Sequence, residues 1–266
     1  MRKKIKKIAI VIPYYKVYLS KDEEISINHL NKFLKNYDKF LILPYSIKKI
    51  SLKIPKVQLI KFSNEYFASV EKYSELLTSK LFYEQFINYE YILIYQMDAL
   101  VFSDQLMEWC HRGYDYIGAP LFNSVINNLS YKKGETIKGA NGGFSLRKVT
   151  SFLKVISITE RLATRTSNKT NIRKLWFILA VFMNKSHNRW LNAPPRDYPF
   201  NEDGFWSFEA IKYHPKFKVA PFNEALKFSF ERFPRRCFKL NSYQLPFGCH
   251  AWSKNDRNFW NQYLLK

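Results

Sequence analysis

Two runs of consecutive apolar residues constrain the fold of this chain more than any other feature of its sequence. The first lies within Lys7–Ile12 and the second is Tyr91–Tyr95, and both are only as long as a β-strand. A strand that is apolar at successive positions has no face to present to water, which is typical of inner strands in a parallel sheet covered on both sides. The two runs therefore predict a layered α/β protein.

Helical and strand patterns alternate between and after these runs. Ser20 and Glu23 form a capping-box pattern at the start of a predicted helix, Lys21–Asn36. The other predicted elements are strands at 39–43, 57–62 and 114–118, helices at 73–86, near 103–104, at 147–161 and at 204–213, and a mostly irregular tail from 234 onward. This alternation favours one domain over residues 1–266, with a mostly parallel central sheet flanked by helices.

The chain carries a large positive charge, because 43 Lys and Arg residues against 22 Asp and Glu give a formal net charge of +21. Nucleic acid, anionic lipid headgroups and phosphorylated small molecules would all suit such an excess. No RNP-like segment, zinc-finger spacing or clear recognition helix accompanies the charge, so nucleic acid is not expected as a partner. With 47% hydrophobic residues the chain can bury a large core, which excludes intrinsic disorder. Three scattered cysteines do not form a disulfide framework and favour a reduced, cytoplasmic location.

Part of the charge lies in the stretch 161–196, which contains eight basic residues and no acidic one. Its apolar run, Leu175–Met183, is much shorter than the roughly 20 residues that a membrane-spanning helix needs. Two interpretations of this basic insertion stay open. It forms an amphipathic helix packed on the core, or a helix that lies on an anionic membrane surface at the inner face of the cell membrane.

Polar residues follow both apolar runs at points where a ligand would bind. Pro13, Tyr14 and Tyr15 follow the first run, and Gln96 and Asp98 follow the second. The carboxyl ends of parallel strands form a crevice that holds ligands in open α/β sheets. A carboxylate there is costly to bury unless it meets a cation or a donor, so Asp98 is either a ligand for Mg²⁺ or Mn²⁺ or a cap of the next turn.

Three later segments carry further candidates, and each has a structural alternative. Gly142 and Gly143 allow close approach of the backbone to a ligand, or form a tight turn before a strand. Glu202 and Asp203 either accept a proton from a hydroxyl group or stabilise the N-terminus of a helix. His250 is either a metal ligand or a hydrogen-bonded structural side chain.

Four motifs occur in order along the chain. They are YQMDALVF at Tyr95–Phe102, GANGGFSLRK at Gly139–Lys148, EDGFW at Glu202–Trp206 and PFGCHAW at Pro246–Trp252. As a set they resemble an uncharacterised family of glycosyltransferase-like proteins, which looks like a branch of the GT-A nucleotide-sugar glycosyltransferases. The resemblance extends from the first strand to Trp252 and implies a GT-A-like, Rossmann-like domain.

The resemblance also implies a role for each candidate residue. Asp98 and His250 would hold a divalent metal, Mn²⁺ or Mg²⁺, bound to the donor diphosphate. Asp203 would be the base that deprotonates the acceptor hydroxyl, with Glu202 as its neighbour or substitute. Residues expected to bind donor or acceptor are Pro13, Tyr14, Tyr15, Gln96, Asn141, Gly142, Gly143 and Trp206. Gln96 stands where the family's metal motif has its first acid, so a lower metal affinity is expected.

The reaction implied by the resemblance is transfer of a sugar from a nucleoside-diphosphate donor, by default UDP, to a hydroxyl of a glycan or lipid-linked acceptor. The expected setting is synthesis of bacterial cell-surface polysaccharide or lipopolysaccharide. Inverting and retaining routes both stay open. The alternatives are a catalytically inactive domain of the same fold that binds a glycan or lipid, and a basic nucleic-acid-binding protein.

Overall fold

The computed structural model describes residues 6–122, 136–164, 198 and 201–265. The strands are β1 (Lys6–Pro13), β2 (Asp38–Pro44), β3 (Val57–Phe62), β4 (Tyr89–Tyr95), β5 (Leu100–Val101), β6 (Tyr116–Ile117), β7 (Pro120–Phe122), β8 (Thr136–Ala140), β9 (Phe144–Lys148), β10 (Ser229–Phe230) and β11 (Gly248–Cys249). The helices are α1 (Lys21–Phe33), α2 (Val70–Leu77), α3 (Lys80–Glu84), α4 (Leu106–His111), α5 (Val149–Thr164), α6 (Glu202–Gly204), α7 (Ala210–Tyr213), α8 (Phe222–Phe228), α9 (Pro234–Leu240) and α10 (Arg257–Trp260). A π-helical segment, Phe205–Glu209, joins α6 to α7, and short 3₁₀ helices lie at Asn64–Phe67 and Asn261–Tyr263.

The central sheet has six strands in the order β3–β2–β1–β4–β9–β6. The first four are mutually parallel, whereas β9 runs antiparallel to both β4 and β6. Smaller sheets are formed by β10–β11–β5 and by β7–β8. Val11 of β1 lies beside Ile94 of β4, so the carboxyl ends of these two strands meet at one edge. The predicted α/β class with a mostly parallel, helix-flanked sheet is confirmed.

Helices cover both faces of this sheet, which explains the apolar runs. Ile8, Ile10 and Ile12 of β1 belong to a core cluster with α1 and α4. The intervening Ala9 and Val11 belong to a second cluster with α2, α3 and α5. Because side chains alternate between the faces of a strand, burial of both faces requires apolar residues at successive positions.

Two predicted features differ in the structure. The expected helix at 73–86 is interrupted between α2 and α3, where the Ser79 hydroxyl accepts a hydrogen bond from the Phe82 amide and caps a new helix. The tail from Pro234 is more regular than predicted, since it contains α9, β11 and α10. The hydrogen bonds of β11 to β5 and β10 tie this tail to the centre of the protein.

Some sequence predictions fall outside the described ranges. They are the basic insertion beyond residue 164 and most of the polar, aperiodic stretch 123–138, which the sequence predicts to be an active-site loop. Its last residues, 136–138, belong to β8. Within the described ranges, no helix is long and apolar enough to cross a membrane.

Candidate active site

A cavity of about 600 Å³ opens beside the carboxyl ends of β1 and β4. All four sequence motifs contribute to its wall, because the sheet brings their loops to the same edge. The predicted site residues that line it are Pro13, Tyr15, Gln96, Asp98, Asn141, Gly142, Gly143, Glu202, Asp203 and His250.

The other two predicted ligand contacts, Tyr14 and Trp206, are corrected by the structure. Both side chains are completely buried. The Tyr14 hydroxyl donates to the carbonyl oxygen of Val17 at 3.2 Å, and the Trp206 ring lies 4.0 Å from the ring of Phe152. Both residues therefore stabilise the core, and neither lines the cavity.

Gln96, Asp98 and His250 form a compact polar cluster on the cavity wall. His250 Nε2 lies 3.0 Å from Gln96 Oε1 and 3.2 Å from Asp98 Oδ1. Two backbone hydrogen bonds from the tail hold this arrangement, since the His250 amide donates to the carbonyl oxygen of Phe230 and the Trp252 amide donates to the carbonyl oxygen of Asp98. The pairing of β11 thus explains why a residue near the end of the chain meets the loop after β4.

Charged neighbours balance this cluster. Asp98 Oδ2 lies 3.2 Å from Lys254 Nζ, and His250 Nδ1 lies 3.4 Å from Glu231 Oε1. Burial favours the neutral imidazole, but the nearby carboxylates of Asp98 and Glu231 outweigh it and raise the pKa of His250 to about 9. Burial also opposes the charge of Asp98, yet hydrogen bonds from His250 and Lys254 hold its pKa well below the usual range.

The chemistry of these donors fits a divalent cation. Carboxylate and amide oxygens suit Mg²⁺ and Mn²⁺, and a neutral imidazole nitrogen is a common metal ligand. In the structure the imidazole of His250 lies in hydrogen-bonding contact with the oxygens of both Gln96 and Asp98. Within the described residues, no group of three or more His, Cys, Asp or Glu side chains could hold an ion. A cation would therefore take its remaining ligands from water or phosphate oxygens, and His250 would have to release its proton.

Glu202 is held in a buried ion pair with Arg147. The pair is bidentate, with Nη2–Oε1 and Nη1–Oε2 distances of 2.8 and 3.0 Å, and Arg147 is completely buried. The guanidinium also donates to the Tyr83 hydroxyl, the Ser145 hydroxyl and the carbonyl oxygen of Gly142. Since both carboxylate oxygens of Glu202 are engaged, Glu202 is poorly placed to accept a substrate proton.

Arg147 was not singled out by the sequence patterns, although the motif containing it was. It lies in β9 opposite Ile92 of the central strand β4. A cation at an inner position of a sheet needs a buried anion, and this was the signal that could have identified it.

Asp203 is the carboxyl group suited to proton transfer. It lies in α6 at the cavity wall, and its Oδ1 accepts a hydrogen bond from the Gly204 amide at 2.7 Å. Burial, assisted by the negative charge of Glu202, raises the pKa of Asp203 to about 7. Such a group exchanges protons near neutral pH, as a general base must.

Neighbouring protein atoms leave no space for a Cβ atom at positions 142 and 143, so both positions require glycine. A Cβ atom at Gly142 would collide with Glu202 Oε1, and one at Gly143 would collide with the His250 ring. The expected close approach of a sugar to these glycines stays a prediction, whereas their fit against Glu202 and His250 is observed.

We expect Gly143→Ala to lower the free energy of unfolding by about 1–3 kcal/mol, the usual cost of overpacking, because the new methyl group displaces the His250 ring. Urea denaturation measures the change. In Gly143→Ala/His250→Ala the ring is absent, so the methyl group should cost much less than in the single variant. Additive effects of the two substitutions would contradict this contact.

Comparisons with known proteins place the chain in a family and give distant structural neighbours. A family model described as "Protein of unknown function (DUF5672)" matches residues 56–250. No curated protein matches the sequence. The expectation of an uncharacterised family is confirmed by the family match.

Among solved structures, the chain is similar to the glycosyltransferase GlyE of Streptococcus pneumoniae TIGR4. The apo form is 15% identical with a TM-score of 0.47, and a second GlyE structure is 13% identical with a TM-score of 0.48; each match covers 98% of this chain and 61% of GlyE. A glycosyltransferase involved in the glycosylation of the major capsid of PBCV-1 is 10% identical, with 92% of both chains covered and a TM-score of 0.45. The chain spans about three-fifths of GlyE, and at these TM-scores the likeness says nothing about the reaction.

Proposed function

The chain belongs to the family of proteins of unknown function DUF5672, and from the geometry of its cavity we propose that it is a nucleotide-sugar-dependent glycosyltransferase. One observation supports this most directly. A single cavity is lined both by Asp203, whose pKa is about 7, and by the cluster of Gln96, Asp98 and His250. The first suits deprotonation of a hydroxyl group, and the second suits a diphosphate with its cation.

We assign the donor diphosphate to the side of the cavity lined by Asp98, His250 and Lys254. Gln96, Asp98 and His250 would hold Mn²⁺ or Mg²⁺, which when bound supplies Lewis-acid stabilisation of the leaving diphosphate. Lys254 lines the same cavity with its side chain 75% exposed, and its ammonium group adds positive charge for a phosphate oxygen. UDP is the nucleotide that we propose.

Asp203 is proposed as the general base for a hydroxyl of a glycan or lipid-linked acceptor. The acceptor oxygen forms a bond to the anomeric carbon, the bond from that carbon to the diphosphate oxygen breaks, and the hydroxyl proton passes to Asp203. Attack opposite the leaving group inverts the anomeric centre. Glu202, held by Arg147, fixes the start of α6 next to this base.

The experiment that tests the function is nucleotide release from a panel of nucleotide sugars with Mn²⁺, Mg²⁺ or EDTA, which needs no knowledge of the acceptor. We expect slow hydrolysis of one donor, reduced by more than about tenfold in EDTA and in Asp98→Ala, because loss even of groups that only support a metal ligand has this effect. The exposed Asp104, which accepts a hydrogen bond from Tyr37 outside the cavity, provides the control variant Asp104→Ala.

The outcomes separate the parts of the proposal. Nucleotide release that persists in EDTA would support the transferase but would show that Asp98 and His250 do not act as ligands of a cation. No release from any donor, together with donor binding by calorimetry, would favour the alternative of an inactive binding domain. Absence of both release and binding would contradict the proposed function.

A further inference from the structure

A second cavity, of about 770 Å³, adjoins the first at His250. His250 and Lys254 line both cavities, and Glu231, which faces His250 Nδ1, lines the second. The rest of its wall comes from the turn before α9, the start of α9 and the turn before α10. The basic residues in this wall are Arg232, Arg235, Arg236 and Lys254.

Two of these cations are free to bind a ligand. Arg235 is paired with Asp256, at 2.6 Å from Nε to Oδ2, and Lys254 is paired with Asp98. Arg232 and Arg236 are exposed and have no ion-pair partner anywhere in the described part of the chain. The Arg236 guanidinium lies 5.5 Å from the centre of the Phe122 ring. That contact is a cation–π interaction with a ring and not an ion pair with a carboxylate.

The backbone around this cavity is strained at three points. Phe233, Ala251 and Asp256 line the cavity and have φ values of 54°, 50° and 59°. Residues with a Cβ atom adopt this left-handed conformation at a cost, and such residues concentrate at ligand sites. At Phe233 the strained turn separates Arg232 from the start of α9, so that arginines on both sides of the turn line one cavity.

We propose that Arg232 and Arg236 bind a phosphate group carried by the acceptor, which makes the acceptor a phosphorylated glycan or a phosphorylated lipid. The inference rests on the proposed function, because it names the second substrate of the same transfer. Guanidinium groups bind phosphate through paired, charge-assisted hydrogen bonds, and an unpaired arginine at a concave surface suits that role. The donor diphosphate is assigned to the first cavity beside Asp98, which lines only that cavity, and we assign a phosphate held by Arg232 and Arg236 in the second cavity to the other substrate.

The proposed base lies close enough for such an acceptor to reach it. His250 and Lys254 line both cavities, and Asp203 lines the first cavity together with them. An acceptor whose phosphate lies between Arg232 and Arg236 would therefore extend past His250 toward Asp203.

The test measures equilibrium binding of two probes, glycerol 3-phosphate and farnesyl phosphate, by calorimetry. The full chain is first saturated with UDP, so that phosphate sites in the first cavity are occupied. We expect Arg232→Gln/Arg236→Gln to weaken the binding of both probes by about tenfold or more, because charge-assisted hydrogen bonds are lost. Lys239→Gln is the matched control, since Lys239 is an exposed cation of α9 outside the cavity, and it should bind both probes like the wild type.

The two probes distinguish the source of the phosphate. Tighter binding of farnesyl phosphate than of glycerol 3-phosphate would support a lipid acceptor, and equal binding would support a phosphorylated glycan. The inference is overturned if the wild type binds neither probe, or if the double variant binds both as tightly as the wild type does.

Hydrolysis of the donor by water separates this inference from the proposed function, because water needs no second cavity. We expect the double variant to hydrolyse the donor at the wild-type rate. Suppose that the wild type and Lys239→Gln bind the probes, that the double variant does not, and that none of the three hydrolyses a donor. This outcome would retain the phosphate site and remove the transferase. Normal hydrolysis of the donor, together with probe binding that is the same in the double variant as in the wild type, would retain the transferase and remove the phosphate site.

Discussion

Asp203→Asn is expected to reduce the rate of the proposed sugar transfer by about 10²–10⁴-fold, the usual contribution of a general base, which is the role proposed for Asp203. Asparagine has nearly the same shape and can still accept the hydrogen bond from the Gly204 amide, but it cannot take up a proton. The affinity for the donor should therefore be unchanged. Nucleotide release, with water or an acceptor as the nucleophile, gives kcat and KM, and Asp104→Asn serves as a control carboxylate outside the cavity.

The pH dependence of the reaction gives an independent test of the same role. A base acts in its deprotonated form, and burial with the charge of Glu202 raises the pKa of Asp203 to about 7. The wild-type rate, measured with a saturating cation, should therefore rise as the pH increases through about 7. The residual rate of Asp203→Asn should lack this rise. A wild-type profile that is flat between pH 6 and 8 would contradict the role of Asp203.

Stability measurements distinguish lost chemistry from lost folding in this variant. Between about pH 4 and pH 7 the native state keeps a proton on Asp203 that the unfolded chain releases. The contribution of Asp203 to the free energy of unfolding therefore decreases as the pH rises through this window. The asparagine side chain of the variant does not titrate and has no such dependence, so Asp203→Asn should be more stable relative to the wild type at pH 8 than at pH 4. Urea denaturation at the two pH values tests this.

The sequence predicted the parallel strands of the central sheet because the physical signal there is local. The antiparallel strand β9 was indicated only as an alternative, and the helix predicted from 147 begins at Val149. Strands buried on both faces need apolar residues at consecutive positions, and the predicted strand at 57–62 coincides with β3. The break between α2 and α3 was missed because apolar residues continue at helical spacing across it. A single capping hydroxyl, that of Ser79, decides where the second helix begins.

The candidate site was predictable only in part. The rule that ligands bind beyond the carboxyl ends of strands indicated Asp98 correctly as a residue of the cavity wall. The pairing of Asp98 with Lys254, of His250 with Glu231 and of Arg147 with Glu202 depends on contacts between distant segments. Local patterns also failed to show which candidate side chains face the cavity and which face the hydrophobic core. Tyr14 and Trp206 lie beside cavity residues in the sequence but are buried in the core.

The Arg147–Glu202 pair links the stability of the fold to the geometry of the site. Arg147→Met is expected to lower the free energy of unfolding by about 3–5 kcal/mol, because it leaves the Glu202 carboxylate buried without a counter-charge. The Tyr83 and Ser145 hydroxyls also lose a hydrogen-bonding partner. Urea denaturation measures the loss. The matched control is Lys72→Met, which breaks an exposed pair with Glu75 and should cost no more than about 1 kcal/mol.

The double variant Arg147→Met/Glu202→Gln shows whether the pair only stabilises the fold or also positions the base. Removing the unpaired charge should recover much of the lost stability, so the two substitutions will not be additive. Because Glu202 immediately precedes Asp203 in α6, we expect the folded double variant to retain its donor KM but to have a lower kcat. A stable double variant with the wild-type kcat would show that Asp203 needs no support from the pair. Equal costs for Arg147→Met and Lys72→Met would show instead that the buried pair contributes no more than a surface one.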